Sequence, residues 1–160
     1  MSAISILTKV VVFRLDEQRY AAPLAEVERV IPAVEITALP NAPAIVFGVI
    51  NVAGIVMPVI NLRRRFRVKE RGVSPADQFL IVHASRRMVA LVIDEVLGLL
   101  EYMDEEIIRV TQVVPGVDQI HGLIKHPDGL VLIHDLEKLL SLDEDQVLES
   151  ALNQEVPRGT

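Results

Sequence analysis

The residues whose types and spacing bear on chemistry are few and clustered. Arg63, Arg64, Arg65, Arg67, Lys69 and Arg71 form one dense basic run, and such residues converging on one face would neutralise the phosphates of a nucleic acid. Only Phe66 is interleaved as a base-stacking ring, so the plainer reading is a helical turn and loop whose arginines pair with acidic residues elsewhere. His83, His121, His126 and His134 are the four histidines, and with a carboxylate such as Asp135 they are the residue types that hold a metal. His121 and His126 lie five apart, which on a strand aims them at opposite faces, and neither a His-x-His nor an HExxH arrangement occurs. Ser85 and the acidic groups Asp94-Glu95 and Asp104-Glu105-Glu106 serve hydrolysis only with a nucleophile elbow or a positioned base, and neither is recognisable. Gly54 runs into Ile55-Val56-Met57, a strand, whereas a phosphate-cradling loop runs into a helix with Lys and then Ser or Thr. No catalytic, cofactor-binding or metal-ligating residue is therefore assigned, and the class that remains is a binding module.

The elements that must position such a module follow from composition. At 160 residues the chain makes one domain or two small ones sharing a core. A formal net charge of −6 gives no long-range attraction for nucleic acid or anionic membrane. The absence of cysteine removes disulfides, thiol nucleophiles and thiolate metal sites. No basic leader precedes the first apolar residues, and every apolar run is broken before the roughly 18 residues of a membrane helix; the expectation is a cytoplasmic protein without membrane insertion. Hydrophobic residues make up 51% and aromatic residues only 4%, so valine, isoleucine and leucine build the core, a composition that favours strands. Ten short apolar runs, 10–15, 19–23, 27–31, 46–52, 55–62, 79–84, 88–93, 96–103, 120–126 and 130–134, are punctuated by turn residues and predict small barrels or sandwiches. Helical turns are expected at 24–27, 62–66 and 104–106. A stripe of Leu136, Leu139 and Leu140 behind Asp135 as N-cap predicts helix, followed by a terminal helix at about 143–153 and a flexible tail at 155–160.

The chain also repeats itself. Laid over residues 81–96 without a gap, residues 12–27 match at most apolar positions, Ala21 meeting Ala90, Leu24 meeting Ile93 and Val27 meeting Val96. Likewise Gly48-Val49-Ile50 meets Gly122-Leu123-Ile124, Asn61-Leu62 meets Asp135-Leu136 and Phe66 meets Leu140. The economical reading is two similar β-subdomains, about 10–70 and 77–140, packed as one unit because neither has a large core alone.

Val27-Glu-Arg-Val-Ile31, Leu39-Pro-Asn-Ala-Pro43, the stretch GVINVAGIVMPVINLRRRF from Gly48 to Phe66, and Gly122-Leu-Ile124 with the run Leu130 to Leu140 together resemble the CheW family of bacterial chemotaxis coupling proteins. The resemblance implies two tandem SH3-like five-stranded barrels, no catalysis and no cofactor. It also implies a scaffold that binds the regulatory domain of a CheA-type histidine kinase and the cytoplasmic tip of methyl-accepting chemoreceptors. Carried onto this sequence, Val27, Arg29, Val30 and the turn Asn51-Val52-Ala53 are expected to line the receptor groove. Leu97, Leu99 and Leu100 are expected to meet the kinase. Three departures bear on partner choice: Ala53 stands where the family usually has an arginine, Arg29 where it has an acid, and Asn61 where it has an aspartate. The first two reverse the local charge complementarity, which leaves a CheW-like scaffold of another pathway, in motility, pilus or developmental signalling, as the alternative.

Overall fold

The computed structural model describes residues 6–84, 86–109 and 120–155. Strands β1 (Leu7–Leu15), β2 (Gln18–Pro23), β3 (Val27–Pro32), β4 (Val46–Val52) and β5 (Ile55–Ile60) lead into a one-turn helix α1 (Leu62–Phe66). Then come β6 (Gln78–Ala84), β7 (Arg87–Ile93), β8 (Glu95–Met103), β9 (Ile108–Arg109), β10 (Ile120–His126), β11 (Gly129–His134) and the terminal helix α2 (Leu142–Glu155). All ten expected strands form; β9, with two residues, is too short to leave a pattern. The helix expected behind Asp135 shrinks to a 3₁₀ turn, Leu136–Lys138, with the Asp135 carboxylate accepting the Glu137 N–H at 3.1 Å. The terminal helix begins earlier than expected, because Ser141 caps it and Glu144 reciprocates. Of the expected tail, Glu155 ends α2 and residues 156–160 lie outside the described residues.

The strands make two sheets, ordered β8-β1-β2-β11-β10-β9 and β3-β6-β7-β5-β4. Each sheet draws strands from both of the stretches 10–70 and 77–140. The repeat itself stands, since β1 to β5 are answered by β6, β7, β8, β10 and β11, but each repeat lends its first hairpin to the other's sheet. The pairing registers confirm the correspondence: the parallel contact of Val59 with Ala90 in one sheet is that of Ile133 with Ala21 in the other.

Core chemistry explains the exchange. In β1, Val10 and Val12 face a small core with Ala21, Tyr102, Ile124, Val131 and Ile133. Their neighbours Val11, Phe13 and Leu15 face a larger core shared between the sheets. In β6, Phe79 and Ile81 join a second small core with Ile50, Met57, Val59, Ala90 and Val92, while Leu80 and Val82 turn to the shared core. A strand buried on both faces reads as a continuous apolar run rather than an alternating one, which is how VVVF and FLIV read. Each fully buried Leu or Phe in such a layer contributes about 1.5–3 kcal/mol, so a lone repeat, with one face of its first hairpin bare, lacks much of its stabilisation.

Each sheet is closed at a glycine. A Cβ on Gly48 (φ 153°) would stand 2.2 Å from the Thr37 carbonyl oxygen, because Thr37 bridges to Val49 there. At the equivalent Gly122 a Cβ would meet Ile107 at 2.6 Å, where β9 crosses β10. Gly48→Ala is expected to cost about 2–4 kcal/mol, and Gly72→Ala, whose Cβ meets open space, less than about 0.5 kcal/mol. Urea denaturation of the two variants against the parent chain measures the contrast.

Candidate partner-binding surface

β3 and β8 are edge strands, each hydrogen-bonded along one side only within its sheet. Both expose apolar side chains among charged ones: Val30 is 39% accessible on β3 beside Glu28 and Arg29, and Leu97 and Leu99 are 41% and 63% accessible on β8 between Glu95 and Glu101. An exposed apolar edge invites pairing and is normally blunted by charge or cover. The two positions are equivalent in the repeat: Val30 lies opposite Leu80 as Leu99 lies opposite Val11. Leu97, Leu99 and Leu100 come together in one groove of about 310 Å³ with Val12, Arg19, His126 and Asp128. Arg29 is exposed on β3 with no ion-pair partner among the described residues, its neighbour Glu28 being held by His83 at 3.0 Å. Val27 is half-buried.

The turn after β4 is a separate feature. β3 and β4 are opposite edges of their sheet, so Asn51, Val52 and Ala53 do not adjoin Val27, Arg29 and Val30 in the hydrogen-bonded order. The Asn51 side chain accepts the Gly54 N–H at 2.9 Å, and Ala53 and Gly54 take φ values of 52° and 86°. Positive φ at both central residues marks the tight hairpin turn that suits glycine, asparagine or aspartate, and alanine is strained there. Exposed Ile55 and Val56 follow it on β5.

Half of the basic run is engaged by carboxylates of the fold. Arg63 is buried, and its guanidinium donates to Asp16 (2.9 Å, twice), Asp94 (2.7 Å) and the Lys69 carbonyl (3.0 Å). Asp94 also accepts from Arg14 (3.1 Å), Arg71 (2.9 Å) and the Asp16 N–H (2.8 Å), so one carboxylate ties the β1–β2 turn to α1 and to the loop after it. Arg71 grips Asp77 with two bonds of 2.8 Å. Burial pushes the Asp77 carboxyl up, but Arg71 and the Ser74 N–H more than offset this and hold it below the usual range. The bond from Arg63 lowers Asp16 likewise. Arg65 pairs with Glu144 of α2. Only Arg64, Arg67 and Lys69 of the run are exposed at the surface with Arg71.

The histidines stand apart. His83 meets Glu28, the His121 ring accepts from Arg109 at 2.6 Å, and His126 accepts the Asp128 N–H at 3.2 Å. Among the described residues no three His, Cys, Asp or Glu side chains gather as a metal site; Ser85 lies outside the described residues. His134 is the feature that sequence reasoning missed. Its ring is buried edge-on to Phe66, 4.8 Å between centroids, and Phe66 in turn stacks on Tyr20 at 4.4 Å. Neither ring nitrogen has a hydrogen-bond partner among the described residues. Burial, and next the Arg65 guanidinium, push its pKa down to about 3. The available signal was its place one residue before Asp135, which matches Ile60, a core position in the other repeat.

A mainly β chain of two SH3-like barrels, each offering an exposed apolar edge, has the architecture of a scaffold. The chain belongs to the CheW family: a CheW-like domain matches residues 9–144. It is 27% identical over 146 residues to the chemotaxis protein CheW of Treponema pallidum, covering 88% of this chain and 86% of that one. It is 31% identical over 87 residues to protein FrzA of Myxococcus xanthus, covering 54% of each. The crystal structure of the scaffolding protein TtCheW from Thermoanaerobacter tengcongensis superposes with a TM-score of 0.79 at 28% identity, over 87% of this chain and 96% of that one. Among the described residues no helix is long and apolar enough to cross a membrane.

Two outcomes follow from this geometry. His134 is neutral when folded and has an ordinary value of 6.5 when unfolded, so the unfolded chain takes up the proton first as pH falls. The stability it contributes is complete above about pH 6.5 and is lost as pH falls towards 3, amounting to about 2 kcal/mol between pH 7 and pH 5. Denaturation midpoints at the two pH values should show this loss, and His134→Leu should remove it; an unchanged slope in the variant would refute the assignment. Ala53→Gly relieves a left-handed alanine and is expected to raise stability by about 0.5–1 kcal/mol, a gain absent if the turn is unstrained.

Proposed function

We propose that this protein is a non-enzymatic scaffold of bacterial chemosensory signalling that couples a CheA-type histidine kinase to the cytoplasmic tips of methyl-accepting chemoreceptors. The observation that carries the reading is the pair of exposed apolar edge strands at equivalent positions of two like-folded barrels. A barrel edge of this kind accepts a partner of similar fold, which covers the apolar strip and satisfies the free backbone groups. The groove along Leu97, Leu99 and Leu100 is large enough to seat apolar side chains of the kinase regulatory domain. Val30, with Arg29 and Val27, forms the receptor-facing strip, and the turn Asn51-Val52-Ala53 contributes from the other edge. The protein works in the cytoplasm and reaches membrane-bound receptor arrays only through these partners.

A second reading shares the kinase and changes the receptor. It is favoured by Arg29, an exposed guanidinium beside Val30, and, at the opposite edge of the sheet, by the uncharged Ala53; each alters the charge where an acid and an arginine would suit an ordinary receptor tip. The nucleic-acid reading loses its support, since Arg63, Arg65 and Arg71 are engaged by carboxylates.

Binding to the two partners separates these readings. Leu99→Asp is expected to weaken capture of the kinase regulatory domain by about tenfold or more while leaving receptor binding intact, and Val30→Asp the reverse. Calorimetry with each partner measures both. Kinase binding without any receptor binding by the parent chain selects the second reading, and failure to bind the kinase at micromolar concentration removes both.

A further inference from the structure

The terminal helix α2 is attached in an unusual way. Among its described residues Leu148 and Ala151 are fully buried in the core shared between the sheets, and Leu152 packs half-buried beside them. Leu142 and Val147 are left exposed, 68% and 46% accessible. The rest of the attachment is ionic and comes from three arginines of the body. Arg65 of α1 holds Glu144. Arg87, at the start of β7, donates to Asp145 at 3.1 Å and to Glu149 at 2.7 Å. Arg86 stands 3.5 Å from Asp145.

The seat is imperfect. The Nε–H groups of both Arg65 and Arg87 are buried without acceptors, a desolvation cost that docking does not repay. A pocket of about 270 Å³, open to solvent on one side, lies where the first turn of α2 meets the β6–β7 hairpin, with Ala84, Val89, Leu136 and Leu139 beneath and Arg86, Arg87 and Asp145 beside it. The helix meanwhile does not need the body to keep its first turn: Ser141 Oγ accepts the Glu144 N–H at 3.1 Å, and Glu144 accepts the Ser141 N–H at 2.8 Å, a complete capping box.

We infer that α2 is a detachable strap, held to the body by the Arg65, Arg86 and Arg87 clasp and able to swing away about residues 139–141 without unfolding the barrels. Opening bares Leu148 and Ala151 on the helix and Leu136, Leu139 and Val89 beneath it, the place where both sheets share a core. The strap thus controls access to that seam, and the carboxylate–arginine clasp adds a salt-sensitive share to the apolar hold of Leu148, Ala151 and Leu152.

Amide hydrogen exchange on the full chain, read by segment, tests this. Residues 142–154 should exchange through an opening more frequent than that of β1, β6 and β7, and moving from about 20 mM to about 300 mM salt should raise that opening about threefold while the strands stay unchanged. Glu149→Gln, at an exposed carboxylate that the fold does not need, should raise it about threefold at low salt, and Arg87→Gln about tenfold. Near-parent exchange of β1 and β6 in each variant shows that the body still folds. Exchange of α2 in step with the core strands at every salt concentration overturns the strap, and so does a faster α2 that ignores both salt and Glu149→Gln, which is simple end-fraying.

Discussion

The rest of the structure depends on one constraint: the hairpins β1–β2 and β6–β7 carry apolar side chains on both faces, so each must lie between two cores. A hairpin left in the sheet of its own repeat, with one face in the small core, would have to bare the other. Exchange between repeats answers this by placing each hairpin beside the third, fourth and fifth strands of the opposite repeat, with the shared core of Phe13, Leu15, Leu80 and Leu91 between the sheets. The parallel contacts β2·β11 and β5·β7 are the stitches of that exchange. Tying the two sheets in this way leaves β3 and β8, each paired with the other repeat's first hairpin, at one edge of each sheet, and the surface proposed for partners is therefore a by-product of how the core is filled.

Electrostatics reinforces the same joint. Asp94 sits between the two repeats and collects Arg14, Arg63 and Arg71, so the densest positive charge of the chain is neutralised where the first hairpin, α1 and the inter-repeat loop converge. Charges withdrawn from water are tolerable only when fully paired, and here one carboxylate serves three guanidinium groups with Asp16 and Asp77 supplying the balance. The outer strands β3 and β8 keep Val30, Leu97 and Leu99 exposed between the charges of Glu28, Arg29, Glu95 and Glu101.

Much of this was legible in the sequence. Ten runs of valine, isoleucine and leucine marked ten strands, because short apolar runs bounded by turn residues have few other solutions. The overlay of residues 12–27 on 81–96 located the repeat. What it left open was which repeat completes which sheet, since hydrophobic pattern reports that a face is buried but not by whom. The same overlay places Val30 on Leu99, so the two candidate surfaces assigned by resemblance to different partners are equivalent positions of one design. The arginine run misled for a related reason: spacing shows charge density, whereas its carboxylate partners at Asp16, Asp77 and Asp94 are brought in by tertiary structure. His134 followed a strand pattern without revealing that its face was interior.

The central claim is that β3 and β8 are the working surfaces of the scaffold and that the basic run is structural. Methyl-resolved NMR of the isotopically labelled full chain, titrated first with the kinase regulatory domain and then with a receptor-tip fragment, tests it most directly. The account predicts that the kinase domain shifts Leu97, Leu99 and Leu100 and that the receptor fragment shifts Val30 and its neighbours. Perturbations centred on residues 63–71, with β3 and β8 silent to both partners, would contradict it.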